Sequence, residues 1–154
     1  MTGDDPGKLE RFVRAQDRAA TFERALDELR RGHKTGHWMW FVFPQIAGLG
    51  KSATSQYFAI SSLEEAKAYL AHPILGPRLV ACCEVLVAGA AARAPEIFGA
   101  IDAMKLRSSM TLFLRAAPAE PSFRRVLELH FGGEADPATD ELLAGGTTAT
   151  AAGG

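Results

Sequence analysis

The sequence predicts an all-α fold: one helical domain over residues 8–144, built of about seven to nine mostly short helices, with flexible ends at 1–7 and 145–154. Three features lead there. Apolar residues recur at three- and four-residue spacing through most of the chain, which is the helical period. Helix starts are signalled repeatedly: by Ser62 with Glu65 three residues on, by Pro77 and Pro121, and by Asp136-Pro137. The aromatic stretch around Trp38–Phe43 can be read as a short helix or a buried strand, but no other convincing strand exists to pair with it.

Taken in order, Leu9, Phe12 and Val13 share one helical face. Phe22, Ala25, Leu26 and Leu29 form the next, which Gly32 closes just past Arg30 and Arg31, where cations favour the helix dipole. The aromatic block becomes a helical turn stopped at Pro44. A loop with Gly48 and Gly50 leads to a short helix capped by Ser52 and running through Tyr57. Ser62 and Glu65 open a helix to Ala71, before Pro73. Pro77 starts the next, with Leu79, Cys82 or Cys83, and Leu86 facing inward. Pro95 begins a short turn, and Asp102 is the expected N-cap of a helix to about Ala116. Pro121 begins a helix closed by Gly132-Gly133, and Asp136-Pro137 begins the last. From Gly145 the chain is Gly, Ala and Thr with nothing to bury, so a disordered tail is expected.

Composition narrows the function classes. A chain of 154 residues suits one domain and can bury roughly 70% of its unfolded surface. Its 47% hydrophobic and 23% charged residues are those of an ordinary globule. A net charge of -1 gives no general attraction to nucleic acid or to an anionic membrane. Cys82 and Cys83 are adjacent, neither zinc-site spacing nor a disulfide framework, so reduced core thiols in a cytoplasmic protein are expected. The acidic start Met1–Pro6 lacks the apolar run of a secretory leader. The most apolar window, Val80 to Ala92, is interrupted by Glu84 and falls short of the ~18 residues of a membrane span. His33 and His37 stand four apart, but Gly32 and Gly36 argue against a helix there, and no metal is expected. Phosphate-binding and dinucleotide glycine loops are missing, as is a serine nucleophile elbow, and no cofactor is expected.

Two segments carry the candidate chemistry. The first runs His37-Trp38-Met39-Trp40-Phe41-Val42-Phe43-Pro44-Gln45. Its histidine carries an imidazole that can donate or accept a proton; the plain alternative is a structural hydrogen bond to a backbone carbonyl. Trp38 and Trp40 cannot both face one way, so one packs in the core and the other is free to stack on a planar ligand, unless both only fill the core. Gln45 presents amide donors and an acceptor at the segment's end, to read a ligand edge or to brace a loop. The second segment is Lys105-Leu106-Arg107-Ser108-Ser109-Met110-Thr111-Leu112-Phe113. Leu106, Met110 and Phe113 form its core stripe, while Lys105, Ser108 and Ser109 share one face and Arg107 and Thr111 another. Cations beside paired hydroxyls suit an anion; alternatively Arg107 pairs with a carboxylate such as Asp102 or Glu96, and the serines bond back to the helix backbone.

These two segments, with Leu9-Glu10-Arg11-Phe12, Gly48-Leu49-Gly50, Ala66-Lys67-Ala68-Tyr69-Leu70 and His72-Pro73-Ile74-Leu75-Gly76-Pro77-Arg78-Leu79, resemble the bacterial domain of unknown function 1810 family from Leu9 to about Leu143. One departure is Gln56-Tyr57, where a basic residue before the tyrosine would be expected. The resemblance implies a helical fold and no established activity; a calpastatin-like label borne by some members finds no support in these residues. Two function classes follow. In one, the segments line a pocket for an anionic, nucleotide-like small molecule, with Trp38 or Trp40 stacking, Lys105 and Arg107 neutralising charge, Gln45, Ser108 and Ser109 binding, and His37 as acid or base. In the other, they form the core and partner surface of a non-catalytic helical interaction module.

Overall fold

The computed structural model describes residues 6–89 and 92–153. Within them the chain forms nine α-helices of five residues or more. In order these are α1 (Pro6–Asp17), α2 (Thr21–Arg31), α3 (Ala53–Tyr57), α4 (Leu63–Ala71), α5 (Leu75–Ala88), α6 (Ala94–Phe98), α7 (Ala100–Ala116), α8 (Pro121–Phe131) and α9 (Pro137–Gly153). A 3-10 turn, Arg18–Ala20, joins α1 to α2, and a single helical turn, Met39–Val42, ends just before Phe43-Pro44. Among the described residues the β contact is an isolated parallel bridge between Ile46 and Ile60. No single described helix is long and apolar enough to cross a membrane.

Helix α7 is the centre. Every residue from Ser108 to Leu114 is buried, because α4, α6, α8 and α9 all pack against it. Along this buried stretch polar side chains must find partners within the protein. Ser108 and Thr111 do so in part by bonding back to the carbonyls of Met104 (3.1 Å) and Arg107 (2.8 Å). Aromatic contacts tie the layers together: Phe12 of α1 meets Tyr69 of α4 edge-on at 5.1 Å, Tyr69 meets Phe113 of α7 at 5.2 Å, and Phe113 meets Phe123 of α8 at 5.8 Å. Cys82 and Cys83 are free and buried in α5, where burial lifts the Cys82 thiol to about 12.

Most helix ends follow their local signals. Gly32 closes α2 with φ of +75°, and Gly132 closes α8 with φ of +63°. Ser62 caps α4 by accepting the Glu65 amide at 3.1 Å. The return bond shifts by one residue, since Glu65 Oε1 accepts the Ser61 amide at 2.7 Å, and Glu65 also faces Arg11. Two starts differ from expectation. Helix α5 begins at Leu75, with Pro77 inside its first turn, and α7 begins at Ala100 after Gly99. Asp102 is therefore not the N-cap of α7; it lies in the first turn, where its carboxylate pairs with lysines instead of orphan amides. Of the ends expected to be flexible, residues 1–5 and 154 lie outside the described residues, and α1 starts at Pro6. Leu142 and Leu143 pack on the core, and the α9 backbone then continues to Gly153 through the Gly, Ala and Thr segment.

Helices α4 and α5 meet at 88°, and Gly76 is what lets the corner close. A Cβ at position 76 would fall 2.1 Å from the Leu70 carbonyl oxygen, a backbone atom that cannot step aside. Gly76→Ala is therefore expected to cost several kcal/mol, on the order of 3, by urea denaturation monitored by circular dichroism. A loss below about 0.5 kcal/mol would show the corner to be looser than described.

Candidate functional site

The loop after α2 is built on one carboxylate. Glu28 Oε1 accepts the Thr35 amide at 2.8 Å, the Gly36 amide at 3.0 Å and the Trp38 indole N–H at 2.9 Å, while Oε2 accepts the Thr35 hydroxyl at 3.0 Å. Burial opposes ionisation of Glu28, but these bonds outweigh it and hold the carboxyl at about 2. Gly36 is required here, since a Cβ would lie 2.8 Å from Trp38 Cδ1. Trp38 is thereby fixed in the core, at 2% exposure, against Phe43 and Phe98.

Two residues further on, Trp40 is half-buried and faces α7. Lys105 Nζ stands 4.8 Å above its ring centre, and Lys34 Nζ stands 5.0 Å from the centre of Trp38. Both lysines converge on Asp102, Lys34 at 2.8 Å and Lys105 at 3.4 Å. Lys34 also donates to the Gly36 carbonyl at 2.6 Å, and its own amide donates to the Ile97 carbonyl at 2.8 Å. The aromatic segment and the first turns of α7 are thus brought together by a lysine–aspartate–lysine chain with an indole against each lysine.

Beside Lys105 lies a hollow of about 310 Å³. It is lined by Gln45, Leu49 and Gly50 of the loop before α3, by Ile101, Met104, Lys105 and Ser108 of α7, and by Asp136 and Ala138 at the start of α9. The Gln45 backbone carbonyl accepts the Ile60 amide at 2.8 Å and so braces the loop, while its side-chain amide has no partner among the described residues. Ile101 is 75% and Met104 56% exposed, large apolar side chains one turn apart at the edge of the hollow. Asp136 is buried and caps α9: its Oδ2 accepts the Thr139 hydroxyl at 2.6 Å, the Thr139 amide at 3.3 Å and the Ser108 hydroxyl at 2.7 Å. Burial works against its charge, yet these hydrogen bonds hold its carboxyl below the ordinary range.

The remaining candidates are placed elsewhere. Arg107 turns from the hollow and donates to the carbonyls of Glu134 (2.9 Å) and Ala135 (2.8 Å), with Glu134 Oε1 at 3.6 Å. Thr111 accepts the Asp136 amide at 2.8 Å, and Arg115 forks onto Asp140 with two bonds of 2.8 Å. The arginine, threonine and Ser108 of the second segment therefore hold the 134–136 loop and α9 in place, so the anion-neutralising role read for Arg107 is not supported by its geometry. Ser109 is fully buried with an unpaired hydroxyl and does not line the hollow. His37 is exposed and lines a different hollow, of about 180 Å³, with Arg24, Glu28, Trp38 and Phe41. Of the eight candidates, Gln45, Lys105 and Ser108 line one hollow and Trp40 abuts it through Lys105. The sequence reading missed Leu49, Ile101, Met104 and Asp136. Ile101 and Met104 at i and i+3 beside Lys105 were the available signal; nothing local ties Asp136 to α7.

The family model described as protein of unknown function (DUF1810) matches residues 6–143. Among solved structures, the conserved hypothetical protein Rv1873 from Mycobacterium tuberculosis is 49% identical, with a TM-score of 0.87; the match covers 91% of this chain and 99% of that one. No curated protein matches.

The Glu28 hub has a pH signature. Its folded carboxyl titrates at about 2, against an ordinary 4.5. A depressed acid contributes stability that is fully present above the unfolded value and is lost as pH falls from about 5 towards 2. Glu28→Gln is expected to lower stability at pH 7 and to flatten the stability–pH curve in that acid window. An unchanged acid slope in the variant would remove Glu28 from this role.

Proposed function

The chain belongs to the DUF1810 family of proteins of unknown function, and from that footing we propose that it binds a small molecule with an apolar body and an anionic end. The ligand sits in the hollow between the 45–50 loop, α7 and the start of α9. The observation that carries this reading is Lys105: it opens on a concave surface whose other walls are largely apolar, and it rests on Trp40. The free Gln45 amide beside it supplies a second polar contact, the pattern of few polar groups in an apolar site that small-molecule pockets share. Ile101 and Met104 supply an apolar surface that gains from being covered.

The reading is one of binding, without turnover. The imidazole considered as acid or base, His37, belongs to the other hollow, and the Asp136 carboxylate beside Ser108 is committed to capping α9. The free thiols Cys82 and Cys83 suit a reducing cytoplasm. A second reading, a helical interaction module, draws on the same exposed pair, Ile101 and Met104, as the patch a partner protein covers.

Tryptophan emission separates these readings, because the two indoles differ in placement. Titration with a panel of organic acids is expected to change the emission of the protein and of Trp38→Phe, but not of Trp40→Phe. Lys105→Met is expected to weaken the response about tenfold or more. A response that survives both Trp40→Phe and Lys105→Met overturns this site. A blank panel, together with slower peroxide oxidation of Met104 in cell extract than in the purified protein, favours the interaction module.

A further inference from the structure

We infer that the hollow selects a singly charged carboxylate end over a phosphate, with Lys105 and Gln45 holding the carboxylate and Asp136 excluding a second negative charge. This rests on the binding reading above and adds the class of ligand. Lys105 is the only cation among the hollow's lining residues, since Arg107 is spent on the carbonyls of Glu134 and Ala135. Even that charge is shared, because Asp102 lies 3.4 Å from Lys105 Nζ and is itself divided with Lys34 at 2.8 Å. Asp136, bonded to Ser108, is also among the residues that line the hollow. Its charge is fixed by its own bonds to Thr139 and Ser108, which leave it no cation partner among the described ion pairs.

Lys105 and Asp136 thus balance within the lining, Lys34 and Asp102 balance behind Lys105, and the remaining lining residues are uncharged. A dianionic phosphate needs several cations or a row of free backbone amides; the hollow has one lining cation, Lys105, and the Ala138 and Thr139 amides at the start of α9 are taken by Asp136. One carboxylate oxygen on Lys105 and the other on the Gln45 amide is a match in charge and in donor count. The apolar body then covers Ile101 and Met104, the two side chains left most exposed at its edge. This narrows the nucleotide-like ligand considered from sequence to an apolar monocarboxylic acid.

The test uses the full chain and three ligands sharing one phenylpropyl body: 4-phenylbutyrate, its neutral amide, and 3-phenylpropyl phosphate, each titrated by calorimetry and by Trp40 emission in Trp38→Phe. The carboxylate is expected to bind, with the amide and the phosphate each about tenfold weaker or more, and Lys105→Met is expected to reduce carboxylate affinity to that of the amide. Asp136→Asn keeps a side chain able to cap α9. It is expected to raise phosphate affinity about tenfold while changing carboxylate affinity by less. Phosphate binding as tight as carboxylate in the unmodified chain overturns the selectivity and leaves the binding reading standing. Silence from all three ligands overturns the inference; if other members of the organic acid panel still perturb Trp40, the binding reading survives without it.

Discussion

One carboxylate, Asp102, is shared by two lysines, and each lysine lies against one of the two tryptophans. The energetics make this a constraint as well as a contact. The Lys34 side chain is only 8% exposed, so its ammonium must be paired, and Asp102 with the Gly36 carbonyl are the groups that pair it. Because Lys34 follows α2 and Asp102 sits in the first turn of α7, satisfying that buried charge fixes where the 33–45 segment crosses the central helix. The half-buried position of Trp40, the direction of Lys105 and the hollow beside them all follow.

The two motif segments divide their labour accordingly. In the aromatic segment, Trp38 is structural, fixed by Glu28 and packed on Phe43 and Phe98, whereas Trp40 lies against Lys105, which itself lines the hollow. In the second segment Leu106, Met110 and Phe113 fill the core, and Arg107, Ser108 and Thr111 anchor the loop before α9. Lys105 is left facing the hollow. Both segments are dense because they build a core, a loop anchor and a concave surface within a few turns.

The helical architecture was legible because its signals are local. Leu9, Phe12 and Val13, the Ser62 cap, Gly32 and Gly132 each act within one or two turns, and each is found doing so. The site was half legible. Gln45, Lys105 and Ser108 could be guessed from residue type, but which of them share a hollow depends on contacts across about sixty residues that spacing does not encode. Asp102 shows the limit best: its position at the head of a helix suggests a cap, yet a buried lysine from another loop claims it. Arg107 shows it again, since the carbonyls of Glu134 and Ala135 lie 27 and 28 residues away.

The contact between Trp40 and Lys105 can be read directly by nuclear magnetic resonance. With the ammonium 4.8 Å above the indole, the Lys105 ε-methylene protons lie in the shielding cone of the ring. These protons are expected to resonate upfield of ordinary lysine, to show cross-relaxation with the Trp40 indole, and to return to ordinary shifts in Trp40→Leu. Ordinary shifts in the unmodified protein, with no cross-relaxation to Trp40, would contradict that contact.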